Sequence, residues 1–215
     1  MKTKIILPLK ERSLRLPNKN LLELNGKPLF NHILESLSKV PAIDKLCIFS
    51  SSKFYEPFLI NQEIDLVHVK RSTKLDEDSC SINEVIREFI KIEDADVYVL
   101  AHATSPFLSA SSIEECINSV TSGEFDSSFL ASSINKFAWF RGRSLNYVLG
   151  QELKPTSELE PIFVEQGGLY VFTKEVFKKT NSRVGLKPFV KLINFPESID
   201  IDYQMDFDIA NKFYN

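Results

Sequence analysis

Dense apolar runs alternate along this chain with stretches in which apolar residues recur every third or fourth position. The runs at 4–9, 45–50, 64–69, 97–101, 127–131 and 168–172 predict strands, and the periodic stretches at 28–39, 79–92, 111–121, 173–180 and near 204–213 predict helices. Ile82, Val85, Ile86, Phe89 and Ile90 fall at i, i+3, i+4, i+7 and i+8, one buried helical face, with Asp78-Ser79 as its candidate cap. Ser109 to Ser112 open the helix of Ile113, Cys116, Ile117 and Val120 in the same way. Strands and helices in this order predict one α/β domain over 1–215, with a mostly parallel twisted sheet and helices on both faces. No repeat, linker or low-complexity segment divides it.

From Ile134 to Pro161 the rhythm breaks. Phe137, Trp139, Phe140, Tyr147 and Val148, with the loop Gly150-Gln151-Glu152-Leu153-Lys154-Pro155, predict a hairpin-like arm protruding at about 134–162. Aromatic side chains on such an arm need cover, either from a second copy of the chain or from its own sheet.

Composition narrows the function classes. A chain of 215 residues with 43% hydrophobic and 26% charged residues can bury a full core. The formal charge of -3 gives no reason to expect nucleic acid as a partner, and no apolar stretch approaches the roughly 18 residues of a membrane span. Met1-Lys2-Thr3-Lys4 is followed by too few apolar residues for a secretory segment, so the expected location is cytoplasmic. Cys47, Cys80 and Cys116 are widely spaced and read as reduced packing residues, and neither they nor the three histidines have zinc-site spacing.

Three places carry candidate chemistry. The strand Ile5-Ile6-Leu7-Pro8-Leu9 feeds a loop with Lys10, Arg12, Arg15 and Lys19, a cationic loop at a sheet edge where an α/β protein holds phosphates, or simply a solvated basic loop. Val99 to Phe107 is a strand ending in His102, Thr104 and Ser105, candidate ligand contacts at a carboxyl edge, although a lone His there also serves packing. Near the C-terminus, Asp200 and Asp202 alternate with Ile199 and Ile201. In an extended segment the two carboxylates share one face, about 6.6 Å apart at Cα, while the isoleucines face the core. Such a pair suits a hard divalent cation, Mg²⁺ being the natural guest, or else Asp202 caps the helix from Gln204. Asp206 can support the site or serve that helix N-terminus.

Arg15-Leu16-Pro17-Asn18-Lys19-Asn20-Leu21 with Asn25-Gly26-Lys27-Pro28-Leu29 resembles the opening of the acylneuraminate cytidylyltransferases. Ala103-Thr104-Ser105-Pro106-Phe107 is similar to that family's Pro-Thr-Ser-Pro-Leu motif, Gln166-Gly167-Gly168-Leu169-Tyr170 to its Asn-Gly-Ala-Ile-Tyr motif, and Ser198-Ile199-Asp200-Ile201-Asp202 to its magnesium-binding segment. The resemblance runs from about residue 3 to 210 and implies a Rossmann-like, glycosyltransferase-A-like nucleotidyltransferase fold. It also implies transfer of CMP from CTP to a keto-deoxy sugar acid, with release of pyrophosphate. By the same resemblance Lys19, Asp200 and Asp202 are catalytic, and Asp200 and Asp202 hold the Mg²⁺. Lys10, Arg12, Ser13, Arg15, Asn20, Arg71 and Ser81 contact or border the nucleotide. His102, Thr104, Ser105, Gln166 and Tyr170 line the sugar pocket, with Lys136 a candidate for the sugar carboxylate, and a homodimer forms through the arm.

The departures are informative. Lys10 stands where that family has Arg, and Glu11 and Arg12 stand where it has small residues, so Arg12 is a candidate replacement for the missing guanidinium. Ser52 replaces an Asp, His102 a Gln and Leu108 an Arg; the last two fall where the sugar is recognised and point to an acceptor other than sialic acid itself. The altered loop keeps two alternatives open, a weakly catalytic binding relative and an enzyme using another nucleotide.

Overall fold

The computed structural model describes residues 1–60 and 65–214. Seven strands form the central sheet: β1 (Thr3–Pro8), β2 (Lys45–Ser50), β3 (Leu66–Lys70), β4 (Val97–Ala101), β5 (Ser127–Ile134), β6 (Ile162–Thr173) and β7 (Pro188–Leu192). Position 64, where the third strand is expected to begin, lies outside the described residues. The spatial order is β7-β5-β6-β4-β1-β2-β3. Only β6 runs antiparallel to its neighbours, β4 and β5; the remaining pairs are parallel.

Among the described residues five α-helices accompany the sheet: α1 (Leu29–Leu37), α2 (Ile82–Ile92), α3 (Ala110–Thr121), α4 (Lys174–Thr180) and α5 (Gln204–Tyr214). Side chains alternate across β1, so Ile5 and Leu7 pack with Phe30, Ile33, Ile113 and Ile117 of α1 and α3, while Ile6 packs with Phe49, Phe89, Tyr98 and Phe172 on the side of α2 and α4. Helices on both faces are thus a direct result of strands that are apolar on both sides. α2 starts later than its periodicity predicts. Its cap is Ser81, which forms a reciprocal capping box with Glu84, rather than Asp78-Ser79.

Two strand segments differ from expectation. β7 has no counterpart in the apolar pattern because it is a half-buried edge strand of Pro188-Phe189-Val190-Lys191-Leu192, too short and mixed to stand out. β6 begins at Ile162 rather than 168, and its pairing with β5 is irregular: Gln166 faces Leu130, whereas Tyr170 faces the adjoining Phe129. Gly167, Gly168 and Leu169 therefore bulge out of register.

A third apolar cluster joins parts far apart in sequence. Leu16 from the basic loop, Leu24 and Leu29 meet Ile201, Phe207 and Ala210, with Ile199 packed beside them. The hairpin feeding α1, Glu23–Leu24 against Lys27–Pro28, turns through Asn25 and Gly26 at φ 49° and 72°, the left-handed pair its two-residue loop requires. Burying Leu16 and Ile201 together is worth on the order of 1.5–3 kcal/mol per side chain. It also fixes where their neighbours point.

The 134–162 segment is the expected arm. Trp139–Phe140 pairs with Arg143–Ser144, Asn146 ties it back to the Lys136 and Glu160 carbonyls, and Phe137 and Trp139 pack edge-on to Tyr147. These rings do not fold onto the chain's own sheet: Trp139 and Phe140 stay 54% and 59% exposed.

Candidate active site

Arg15 and Lys19 flank Leu16, and Asp200 and Asp202 flank Ile201, so the shared burial of Leu16 and Ile201 brings cations and carboxylates together. Lys19 Nζ donates to Asp202 Oδ1 at 2.9 Å and Arg15 Nη1 to Asp202 Oδ2 at 2.5 Å. Asp202 does not cap α5. That work falls to Asp206, whose Oδ2 accepts from the Asp202 and Tyr203 amides at 3.0 and 2.8 Å.

Asp200 lies deeper. Its neighbour Ile201 donates its amide to the Thr104 carbonyl at 2.8 Å, which stitches the acidic segment to the end of β4. Burial pushes the Asp200 carboxyl above its usual range; the Thr104 hydroxyl opposes the shift, and the Asp202 charge adds to it. Its Oδ1 is buried without any hydrogen-bond partner among the described residues. The β6 bulge walls it in. A Cβ on Gly167 would lie 3.3 Å from Asp200 Oδ2, a tight contact, and one on Gly168 only 2.3 Å from Ser105 Oγ and 2.8 Å from its Cβ, so the close approach at Gly168 calls for glycine.

The strand ends border an open cleft. One section, about 410 Å³, is lined by Lys10, Ser13, Arg15, Lys19, Asn20, His102 and Thr104 among others. A second, about 330 Å³, shares Lys10, Arg15, Asp78 and His102 with it and extends to Arg71, Cys80 and Val85. Lys10 pairs with Asp78 at 2.7 Å, and its carbonyl accepts from Asn20 Nδ2 at 2.8 Å, which holds the loop against the strand end. Arg71 is buried, bound to Asp76 Oδ1 at 2.6 Å and to the Leu9 carbonyl at 3.3 Å, and lies over the Phe49 ring. Arg12 is exposed and lines an adjoining groove of about 500 Å³ with Ser13, Leu14 and Asp76.

On the β4–β6 side, the His102 amide donates to the Gly168 carbonyl at 3.0 Å. Burial, with the nearby charges of Arg183 and Lys19, pulls the His102 pKa down to about 4, so the ring is neutral at pH 7. Tyr170, in the core beside the cleft wall, donates its phenol to Glu165 and accepts from Arg183 at 3.0 Å. The Arg183 guanidinium sits 3.8 Å from the Tyr170 ring centroid. Sequence reasoning missed Arg183, which only the fold brings to Tyr170.

The remaining sequence candidates fall elsewhere. Ser105 is buried under Gly168, and Gln166 Nε2 donates to Ser132 Oγ at 2.9 Å, placing it against β5. The Ser81 hydroxyl is engaged with Glu84 at the start of α2. Lys136 is exposed on the arm and joins none of these contacts. Cys47, Cys80 and Cys116 are free thiols; burial raises Cys47 to about 11 and Cys116 to about 12, which suits packing residues.

Comparison with known proteins gives this geometry a context. An N-acylneuraminate cytidylyltransferase of Streptococcus agalactiae is 25% identical over 216 residues, covering 96% of this chain and 52% of that protein. The CMP-N,N'-diacetyllegionaminic acid synthase of Legionella pneumophila is 26% identical over 225 residues, covering 99% and 96%. The chain thus spans about half the length of the streptococcal relative and nearly all of the Legionella one. A solved CMP:2-keto-3-deoxy-manno-octonic acid synthetase complexed with CTP has the same fold, with a TM-score of 0.71 at 15% identity over 100% of this chain and 98% of that one. The 4-diphosphocytidyl-2C-methyl-D-erythritol synthase of Anaerococcus prevotii shares it too, with a TM-score of 0.68 at 14% identity over 99% and 98%. A family model described as cytidylyltransferase matches residues 5–214, and the chain belongs to that family.

Proposed function

We propose that this protein transfers the cytidylyl group of CTP to a hydroxyl of a small keto-deoxy sugar acid, giving a CMP-sugar and pyrophosphate. The observation that carries the reading is the meeting of Asp202, beside the unpartnered Asp200 Oδ1, with Lys19 and Arg15, which line the open cleft of a cytidylyltransferase. In the reaction the acceptor oxygen forms a bond to the α-phosphorus while the bond to the bridging oxygen of pyrophosphate breaks. The chain's task is to hold those oxygens in line and to balance their charge. Lys10, Arg12, Arg15 and Lys19 face the triphosphate, Ser13 and Asn20 shape the loop against it, and Arg71 borders the nucleotide pocket from its fixed place on Asp76. His102, neutral at pH 7, faces the acceptor as a hydrogen-bonding group rather than a charge.

The residues fit a divalent ion. A buried carboxylate oxygen with no partner beside a second carboxylate is a hard oxygen donor set, and Asp200 and Asp202 would hold Mg²⁺ there. Among the described residues no group of three or more His, Cys, Asp or Glu side chains could hold a metal, so water and phosphate oxygens would have to complete the shell of a bound ion. When bound, the ion supplies neutralisation of the triphosphate charge.

No helix among the described residues is long and apolar enough to cross a membrane, and three free thiols suit a reducing compartment; both accord with a cytoplasmic enzyme. We read the exposed Trp139 and Phe140 as the face that a second copy covers, making a homodimer. Sedimentation should show a dimer that Trp139→Asp/Phe140→Asp converts to monomer; a monomeric wild type at high concentration overturns this part.

The test of the activity is pyrophosphate release with each of four ribonucleoside triphosphates, Mg²⁺, and 3-deoxy-manno-octulosonate, N-acetylneuraminate and N,N'-diacetyllegionaminate as acceptors. Turnover is expected with CTP and one acid. Tight nucleotide binding without turnover overturns the reading in favour of a binding relative.

A further inference from the structure

Transfer to a hydroxyl sets free a proton as well as pyrophosphate, and a group at the cleft has to receive it. Among the described residues that line the 410 Å³ section, the ionisable side chains are Lys10, Arg15, Lys19, Asp78 and His102. The three cations have no acceptor to offer, and Asp78 is taken by Lys10 at 2.7 Å. Asp200 and Asp202 are not part of this lining, and their oxygens would be occupied by the ion. That leaves His102, which lines the 330 Å³ section as well and so stands where the two sections join.

The backbone fixes His102 and leaves its ring free. Its amide donates to the Gly168 carbonyl at 3.0 Å and its carbonyl accepts from the Ser105 amide at 3.3 Å, which ties the residue to the β6 bulge on one side and to the turn after β4 on the other. The imidazole itself has no hydrogen-bond partner among the described residues. Besides burial only charges act on it: Arg183 and Lys19 disfavour its protonation, and Asp202 favours it. Lys10, Arg15 and Asp78 share its first section, and Arg71, Glu77 and Cys80 its second. Since the ring feels both Lys19 and Asp202, it stands beside the place where the cations meet the carboxylates. A triphosphate set against Lys19 offsets one of the two charges that weaken this base, so nucleotide binding strengthens it.

We propose that His102 is the catalytic base that takes the proton of the acceptor hydroxyl. The inference rests on the activity proposed above and adds to it the route of the proton. As the acceptor oxygen bonds to the α-phosphorus, its O–H bond breaks and the proton passes to a ring nitrogen of His102. The bond from phosphorus to the bridging oxygen breaks at the same centre, and pyrophosphate leaves with that electron pair. The imidazolium returns its proton to water once the products have gone.

The experiment uses whichever of the three acids the wild type turns over. His102→Gln keeps a hydrogen-bonding side chain but takes up no proton; it should lower kcat by about 10²–10⁴-fold, with KM for CTP within about twofold of the wild type. His102→Ala should regain turnover when imidazoles are added, and the regained rate should rise with the basicity of the imidazole. A His102→Gln protein within about threefold of the wild-type kcat overturns the inference and leaves the activity standing. A rescue that is absent, or indifferent to basicity, overturns it too and makes His102 a contact that only positions the acceptor. Absence of turnover by the wild type with every acid overturns both readings. Should neither variant bind CTP, the ring resonances of His102 in the wild type decide: their titration, at about 4 in the free protein, should move upward when CTP is added, and a titration that stays in place overturns the inference.

Discussion

Two ion clusters of the same charge pattern, two cations around one carboxylate, sit at opposite ends of the sheet. At the end where the parallel strands begin, Lys4 and Lys45 converge on Glu93, at 2.5 and 2.9 Å; at the end where they finish, Arg15 and Lys19 converge on Asp202 at 2.5 and 2.9 Å. The first is the more closed. Lys4 and Glu93 side chains are 5% and 15% exposed and Lys45 31%, and both lysines stand on neighbouring strands whose register places them side by side. The second is open: Arg15 is 55% exposed, both cations come from a loop, and an unpartnered carboxylate lies next to them. Two cations around one acid hold the fold together where every group is matched and the Lys4–Glu93 pair is largely shielded from water. Beside the cleft one group is left unmatched, which is what the proposed chemistry needs.

That contrast can be broken directly. Asp202→Asn should lower turnover by at least about 10²–10³-fold with little change in melting temperature, since its partners can return to water. Glu93→Gln should do the reverse, costing about 3 kcal/mol of stability with kcat unchanged wherever the protein is folded, because two lysines lose their counter-charge in a closed site. Denaturant unfolding and steady-state rates on both variants decide; a Glu93→Gln protein as stable as the wild type would show that the lower cluster holds nothing.

Asp200→Asn sharpens the same point. The carboxyl's pKa is raised on folding, chiefly by burial, so its stabilising share is present at low pH and is lost as pH rises through the folded value. The variant should therefore be inactive yet melt above the wild type at pH 7, and that advantage should vanish on acidification below the carboxylate range. An Asp200→Asn protein that melts below the wild type at pH 7 would contradict a carboxylate held at a cost for function.

The smallest effect is the acid limb of stability. Burial alone would raise Glu93, but hydrogen bonds from Lys4 and Lys45 hold it below its ordinary 4.5. Its contribution is complete above that value and disappears as pH falls through the lower folded one. Glu93→Gln should flatten this part of the unfolding curve.

Much of this was legible in the chain. Alternating apolar runs and helical periods place most of the sheet and all five helices, because strands buried on both faces leave a continuous apolar signature. The basic loop and the Asp200–Asp202 pair could be singled out because their spacing is local. β7 could not, being an edge strand with half its surface in water, nor could the bulge in β6, where Asp200 and Ser105 approach from other parts of the chain. The pairings of Arg71 with Asp76, of Ser81 with Glu84 and of Arg183 with Tyr170 join side chains whose partners the apolar pattern does not name. Only the Ser81 cap left a local trace, its Ser-x-x-Glu spacing.

The single strand Ile162–Thr173 starts at the root of the aromatic arm and ends in the middle of the sheet, with Gly167 and Gly168 between. Whatever clasps the arm from outside holds one end of a rod whose midpoint is the wall around Asp200. On the proposed dimer, assembly and catalysis would then be mechanically one event, and a loose arm should mean a slack carboxylate cage.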